Sequence, residues 1–189
     1  MNLVDRVKGI LLQPKSEWQA IEREPGDAGY LFSNYVAIVA AVPPVCAFIG
    51  MSIIGFGPVR IGIAGGILRA IILYVLSLIG VFVVAYVIDF LAGAFGAQRS
   101  IEKAMRVSAY APTAAWIVGV FNLIPFLRFL SILLGLYSLY LLYTGLIALM
   151  RPAADRALIY TVAVVVCAII VWIVILAIPA LLFGMGMMM

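Results

Sequence analysis

The run ILRAIILYVLSLIGVFVVAYVIDFLA, residues 67–92, decides what kind of protein this chain makes. The 22 steps from Ile67 to Asp89 cover about 33 Å as a helix. The hydrocarbon core of a bilayer is roughly 30 Å thick. Asp89 is then held near the edge of the membrane, and the run as a whole is longer than a crossing needs, so it tilts or projects. Composition extends that reading to the whole chain. Of 189 residues 67% are hydrophobic and 11% charged, against about 45–50% and 25% in soluble domains. Mean hydropathy is +1.24. So much apolar surface requires an integral membrane protein.

Four more apolar spans fall at about 30–56, 107–124, 127–150 and 157–183. The expected fold is an all-α bundle of five transmembrane helices (residues 30–183), preceded by an amphipathic helical segment (1–29) and followed by a flexible tail (184–189). In the N-terminal segment Leu3, Val4, Val7, Ile10 and Leu11 recur at helical spacing, and Pro14 stops that helix. Ser16 and Gln19 form a capping box for a second short helix, ended by Pro25-Gly26. The face of Leu3, Val7, Ile10 and Leu11 either lies in the lipid interface or packs on the protein's own spans, and the interface is the preferred reading. Trp18 suits the headgroup zone, with its ring in an apolar layer and its N–H wet. Asp5, Arg6 and Lys8 interrupt the apolar residues, so the segment is not a cleavable signal peptide.

Basic residues fix an orientation. Nine of them fall on the side of the N-terminus and of the 99–106 and 151–156 connectors, against Arg60, Arg69 and Arg128 on the other. The positive-inside rule then puts the N-terminus in the cytoplasm and the C-terminus outside. Scattered basic residues suit anionic lipid better than nucleic acid, which is not an expected partner.

Pro43 and Pro44 interrupt the first span and deprive the carbonyls of Val39 and Ala40 of their helical donors. In lipid those groups need other partners, and Tyr35, Ser52, Tyr86 and Thr113 are candidates. The break either shapes the first helix around its neighbours or lines a polar cavity of the transporter kind. Asp89, the only acid in the five spans, is either wet and paired with Arg99, Lys103 or Arg106, or functional. Tyr137, Tyr140 and Tyr143 step by three along the fourth span. With Tyr86, Tyr110 and Tyr160 they form either an aromatic belt or a hydroxyl-lined vestibule facing Asp89. The candidate polar cluster is Pro43, Pro44, Tyr86, Asp89, Tyr110, Pro112, Tyr137 and Tyr140. Small-residue stripes at Ala111, Ala115 and Gly119, and at Ser131 and Gly135, permit close helix packing, within one subunit or in a dimer.

Catalysis has little to build on. Histidine is absent, and the three lysines lie in polar segments. The two cysteines, Cys46 and Cys167, sit in apolar runs. No Walker or dinucleotide motif occurs. No catalytic, cofactor-binding or metal-binding residues are expected, and no cofactor.

Three stretches carry a resemblance: ILLQPKSEWQAI (10–21), RSIEKAMRVSAYAPTAAWIVGVFNLIPFL (99–127) and LGLYSLYLLYTGL (134–146). They give an N-terminal helix leading to the membrane, a basic connector into a Tyr-x-Pro entry, a proline turn and a tyrosine-rich span. The arrangement resembles the Yip domain family, the Ypt/Rab-interacting five-span membrane proteins, in its compact bacterial form. The resemblance implies interaction and membrane organisation rather than catalysis, with a cytoplasmic N-terminus. Eukaryotic members bind prenylated small GTPases through long N-terminal tails. Only about 29 residues precede the first span here, which argues for a bacterial protein and against a GTPase partner. The expected partners are the bilayer and either a second copy or another membrane protein. The alternative is a small-solute or ion transporter with its polar site near Asp89 and the Pro43-Pro44 break.

Overall fold

Asn2 caps the first helix, α1 (Leu3–Leu12), its side-chain oxygen accepting from the Val4 amide at 3.2 Å. In the computed structural model, which describes residues 2–24, 28–55 and 60–184, α2 (Pro14–Arg23) begins two residues before the expected capping box. Pro14 opens this helix at a position where no backbone N–H is needed. Ser16 Oγ donates to the Gln13 carbonyl at 3.0 Å instead of capping. α1 and α2 close into a hairpin in which the Glu17 carboxylate lies directly against Gly9. The expected stop at Pro25-Gly26 and the 185–189 part of the tail lie outside the described residues.

The membrane region follows as α3 (Gly29–Ile54), α4 (Ile63–Ala92), α5 (Ile101–Tyr110), α6 (Thr113–Val118), α7 (Phe129–Met150) and α8 (Ala157–Gly184). Among the described residues the fold is all-helical, and four helices, α3, α4, α7 and α8, are long and apolar enough to cross a bilayer. The 107–124 stretch, expected as one helix, is divided. Pro112 has no N–H for the Ser108 carbonyl, so the chain turns at Ala111-Pro112 before α6 resumes. Thr113 Oγ1 bonds the Tyr110 carbonyl at that turn, at 2.6 Å. From Gly119 the backbone tightens into 3₁₀ turns, Gly119–Leu123 and Pro125–Leu127.

The double proline does not throw the chain out of helical space. Ala40 and Ala41 form a turn, and Pro43 and Pro44 fall in the first turn of the restarted segment Val42–Phe48, where missing N–H groups cost least. π-helical stretches at Phe32–Val36 and Ile49–Ile54 flank it. The Pro43 ring lies where a Cβ on Gly119 would come within 2.7 Å, and the Asn122 carbonyl lies against Gly50. The break thus brings α3 and the 119–123 backbone into direct contact.

Elsewhere the helices pair antiparallel. Tyr160 of α8 donates to the Ile88 carbonyl of α4 at 2.6 Å, and further along Ile175 sits over Gly80. Ser131 Oγ of α7 donates to the Val118 carbonyl at 2.9 Å, and Ser138 Oγ accepts from the Ala115 amide at 2.9 Å. Gly135 packs on Ala115, so both small-residue stripes are used inside one chain.

Candidate functional site

The α1–α2 hairpin forms a cap over one end of the bundle. Ile10, Trp18 and Ile21 are fully buried, and Leu3, Val7 and Leu11 pack against the same core. The preferred expectation of a lipid-facing helix is corrected: this face meets protein. Trp18 is 0% exposed. Its ring fills the space beside Gly145, where a Cβ would approach it to 2.6 Å, and meets Tyr110 edge-on at 6.2 Å. Its Nε1–H, expected to stay wet, donates to Thr144 Oγ1 at 3.1 Å. The physical reason is that α7 offers both a glycine to admit the indole and a hydroxyl to take its proton.

Beneath the cap lies one of the charges that interrupt the apolar residues of α1. Arg6 is 4% exposed. Its guanidinium donates to Glu17 at 2.7 Å and to Glu24, and lies 5.5 Å from the centre of the Tyr110 ring. Burial works to lower its pKa. The Glu24 bond and the fields of Tyr110, Glu24 and Glu17 outweigh that, so the group stands above its ordinary value and stays charged. Tyr110 also meets the Tyr35 ring at 4.6 Å, and Tyr35 Oη shares a 2.7 Å hydrogen bond with Thr113. Around the rim, Arg106 donates to the Ile21 carbonyl at 2.8 Å, satisfying an end of α2. Arg151 reaches Glu22 at 2.7 Å, and Tyr137 Oη reaches the Leu11 carbonyl at 3.0 Å.

The eight residues proposed as a polar cluster are therefore dispersed. Tyr110 belongs to the buried Arg6 site, while Tyr86 is 65% exposed. Tyr137 and Tyr140 meet on α7 beside the cap, their rings tilted to one another at 5.5 Å. Asp89 pairs with Arg99 at 3.3 Å, one of the three partners the sequence offered. Pro43 and Pro44 lie by Gly119 and a small cavity, and Pro112 lines a separate, largely apolar cavity of about 240 Å³ with Ser77, Ser108, Trp116 and Trp172. Of the donors suggested for the broken helix, Tyr35 and Thr113 bond each other. It is Tyr74 that donates to a carbonyl just upstream of the break, that of Ala37, at 2.8 Å. Among the described residues no group of three or more Cys, Asp or Glu side chains is gathered to hold a metal ion.

The Yip1 domain matches residues 8–188, from the capping hairpin to the last span. The chain belongs to the Yip1 domain family. It is also similar to Inner membrane protein YohC of Escherichia coli strain K12, at 29% identity over 192 residues, covering 97% of this chain and 98% of that protein. The same protein from Escherichia coli O6:H1 matches equally. No solved structure is a significant match. In this family member the sequence reading missed Arg6, Glu17 and Glu24 as a unit. The signal present was an arginine among the apolar residues of α1, with acids 11 and 18 positions on.

Proposed function

We propose that this Yip1-family protein is a non-enzymatic inner-membrane protein that acts by interaction and membrane organisation, self-associating or holding a partner. The observation that carries this reading is the use of its intramembrane polar groups. The hydroxyls of Tyr35, Tyr74, Ser108, Ser131 and Tyr160 each tie one helix segment to another. Groups so committed hold a rigid platform, whereas a transport path needs groups free to exchange partners. The inner-membrane location is extended from its relative, Inner membrane protein YohC.

On this reading the chain crosses the bilayer five times. The divided 107–124 stretch keeps pace with α3: Tyr110 meets Tyr35, Gly119 meets Pro43 and Asn122 meets Gly50. From Tyr35 to Gly50 is about 22 Å of helix, most of a membrane's thickness. An odd number of crossings puts the termini on opposite sides, and the basic excess puts the cap in the cytoplasm. Fusing a reporter active only in the cytoplasm to the N-terminus, and one active only outside to the C-terminus, should give two signals. A cytoplasmic C-terminus would return the count to four.

Asp89 separates the platform from a transporter. As a boundary ion pair with a largely exposed arginine, its loss in Asp89→Asn should cost about 0–1 kcal/mol. The protein reconstituted in vesicles should self-associate or hold a partner and pass no ion or solute above empty vesicles. A flux that wild type supports and Asp89→Asn abolishes would replace the platform with a transporter.

A further inference from the structure

Ser52 departs from the pattern of satisfied hydroxyls. It lies in the π-helical stretch Ile49–Ile54 and is 8% exposed, and among the described residues its Oγ has no hydrogen-bond partner. A buried hydroxyl left unbonded costs about 1–3 kcal/mol. Gly66 of α4 makes room for it, since a Cβ there would collide with Ser52 Oγ. The π-helical turn and the glycine together hold a hydroxyl against a cavity of about 150 Å³ between α3, α4, α8 and the 119–123 turn.

Two other polar residues line that cavity, Arg69 and Asn122. Arg69 is half-buried two turns into α4 and has no ion pair or hydrogen bond among the described residues. An arginine partly out of water demands an anion, and its planar fork fits phosphate oxygens in pairs. The three polar groups are a guanidinium, a hydroxyl and an amide, all able to donate, and no carboxylate lines the cavity. The rest of the wall is apolar and includes Phe48, Leu73 and Leu176. The ligand that fits is anionic, rich in acceptors and attached to hydrocarbon.

Depth selects its source. α4 has 30 residues, about 45 Å of helix against roughly 30 Å of hydrocarbon. With the excess shared between both ends, Arg69, about 9 Å from the helix start, lies at the headgroup boundary. We propose that this cavity binds the phosphodiester of an anionic phospholipid, with the phosphate on Arg69, Ser52 and Asn122 and an acyl chain along the apolar wall. The Pro43-Pro44 restart then has a second consequence, because Pro44 forms part of this wall.

Native mass spectrometry of the full chain released from detergent micelles tests the assignment. The probes are phosphatidylglycerol, diacylglycerol with the same chains, and inorganic phosphate. Wild type should retain one phosphatidylglycerol, and diacylglycerol should not replace it. Arg69→Gln should weaken retention roughly ten- to a hundredfold, and Ser52→Ala about two- to tenfold. Asp89→Asn, at the other end of α4, should leave it unchanged. Equal retention of diacylglycerol would reduce the site to an apolar groove, and displacement by inorganic phosphate would make the ligand soluble. Either result overturns the proposal, as does undiminished binding in folded Arg69→Gln. If Arg69→Gln fails to fold, Ser52→Ala and Arg69→Lys decide: undiminished retention in both overturns the site, and weakening in either supports it.

Discussion

Trp18→Ala is expected to free the α1–α2 hairpin from the bundle. Truncating a buried tryptophan costs about 3–5 kcal/mol, and this one also leaves Thr144 without the indole N–H it accepts. The hairpin precedes every span in the chain, so its docking can be lost while the spans remain folded. Arg6 supplies the readout. Buried between Glu17, Glu24 and Tyr110, it should resist trypsin in the wild type, although Lys8 and Lys15 are exposed. In Trp18→Ala, cleavage after Arg6 should become as fast as cleavage after Lys8. Gly145→Val, which fills the same space from the other side, should reproduce the effect. Continued protection of Arg6 in both variants would mean that the ion cluster, not the indole, holds the cap.

Gly50→Val should be the most damaging single change in α3. Its Cβ would strike the backbone carbonyl of Asn122, with the Leu123 carbonyl at 3.0 Å. A side chain could turn aside, but a peptide group held in a 3₁₀ turn cannot. Overpacking ordinarily costs about 1–3 kcal/mol, and the upper end is expected here, read as a lowered unfolding temperature in detergent. Gly119→Ala provides the matched test, since its new methyl meets the rigid Pro43 ring. Adding Pro43→Ala should restore part of the loss, with a coupling of about 0.5–3 kcal/mol. Strictly additive effects would show that the two backbones are not in contact.

Hydropathy carried most of the fold. Residues 67–92 read as a crossing because the apolar character of a segment is a local property, and α4 runs through them as one helix. The 107–124 stretch was also mainly apolar, yet its helix divides at Pro112 and tightens at Gly119, where a glycine beside the Pro43 ring lets 3₁₀ backbone settle against α3. The partner of Asp89 was within reach of the sequence, since Arg99 lies only ten residues on.

The sequence by itself determined that this chain is an all-helical membrane protein with an amphipathic N-terminal helical segment and a family resemblance that the Yip1 domain match bears out. Only the tertiary structure decided what each apolar face meets. Helical spacing shows that Leu3, Val7, Ile10 and Leu11 share a face, but lipid and protein demand the same periodicity. It took Gly145 and Thr144, more than 120 residues away, to put Trp18 inside the protein. The same holds for charge. Arg6 reads as a solvated residue until the hairpin closes Glu17 and Glu24 around it. Arg69 reads as one more basic residue until α3 and the 119–123 turn close a cavity beside it. Solvation of a side chain is set by all the segments that surround it, and those are assembled only when the chain has folded.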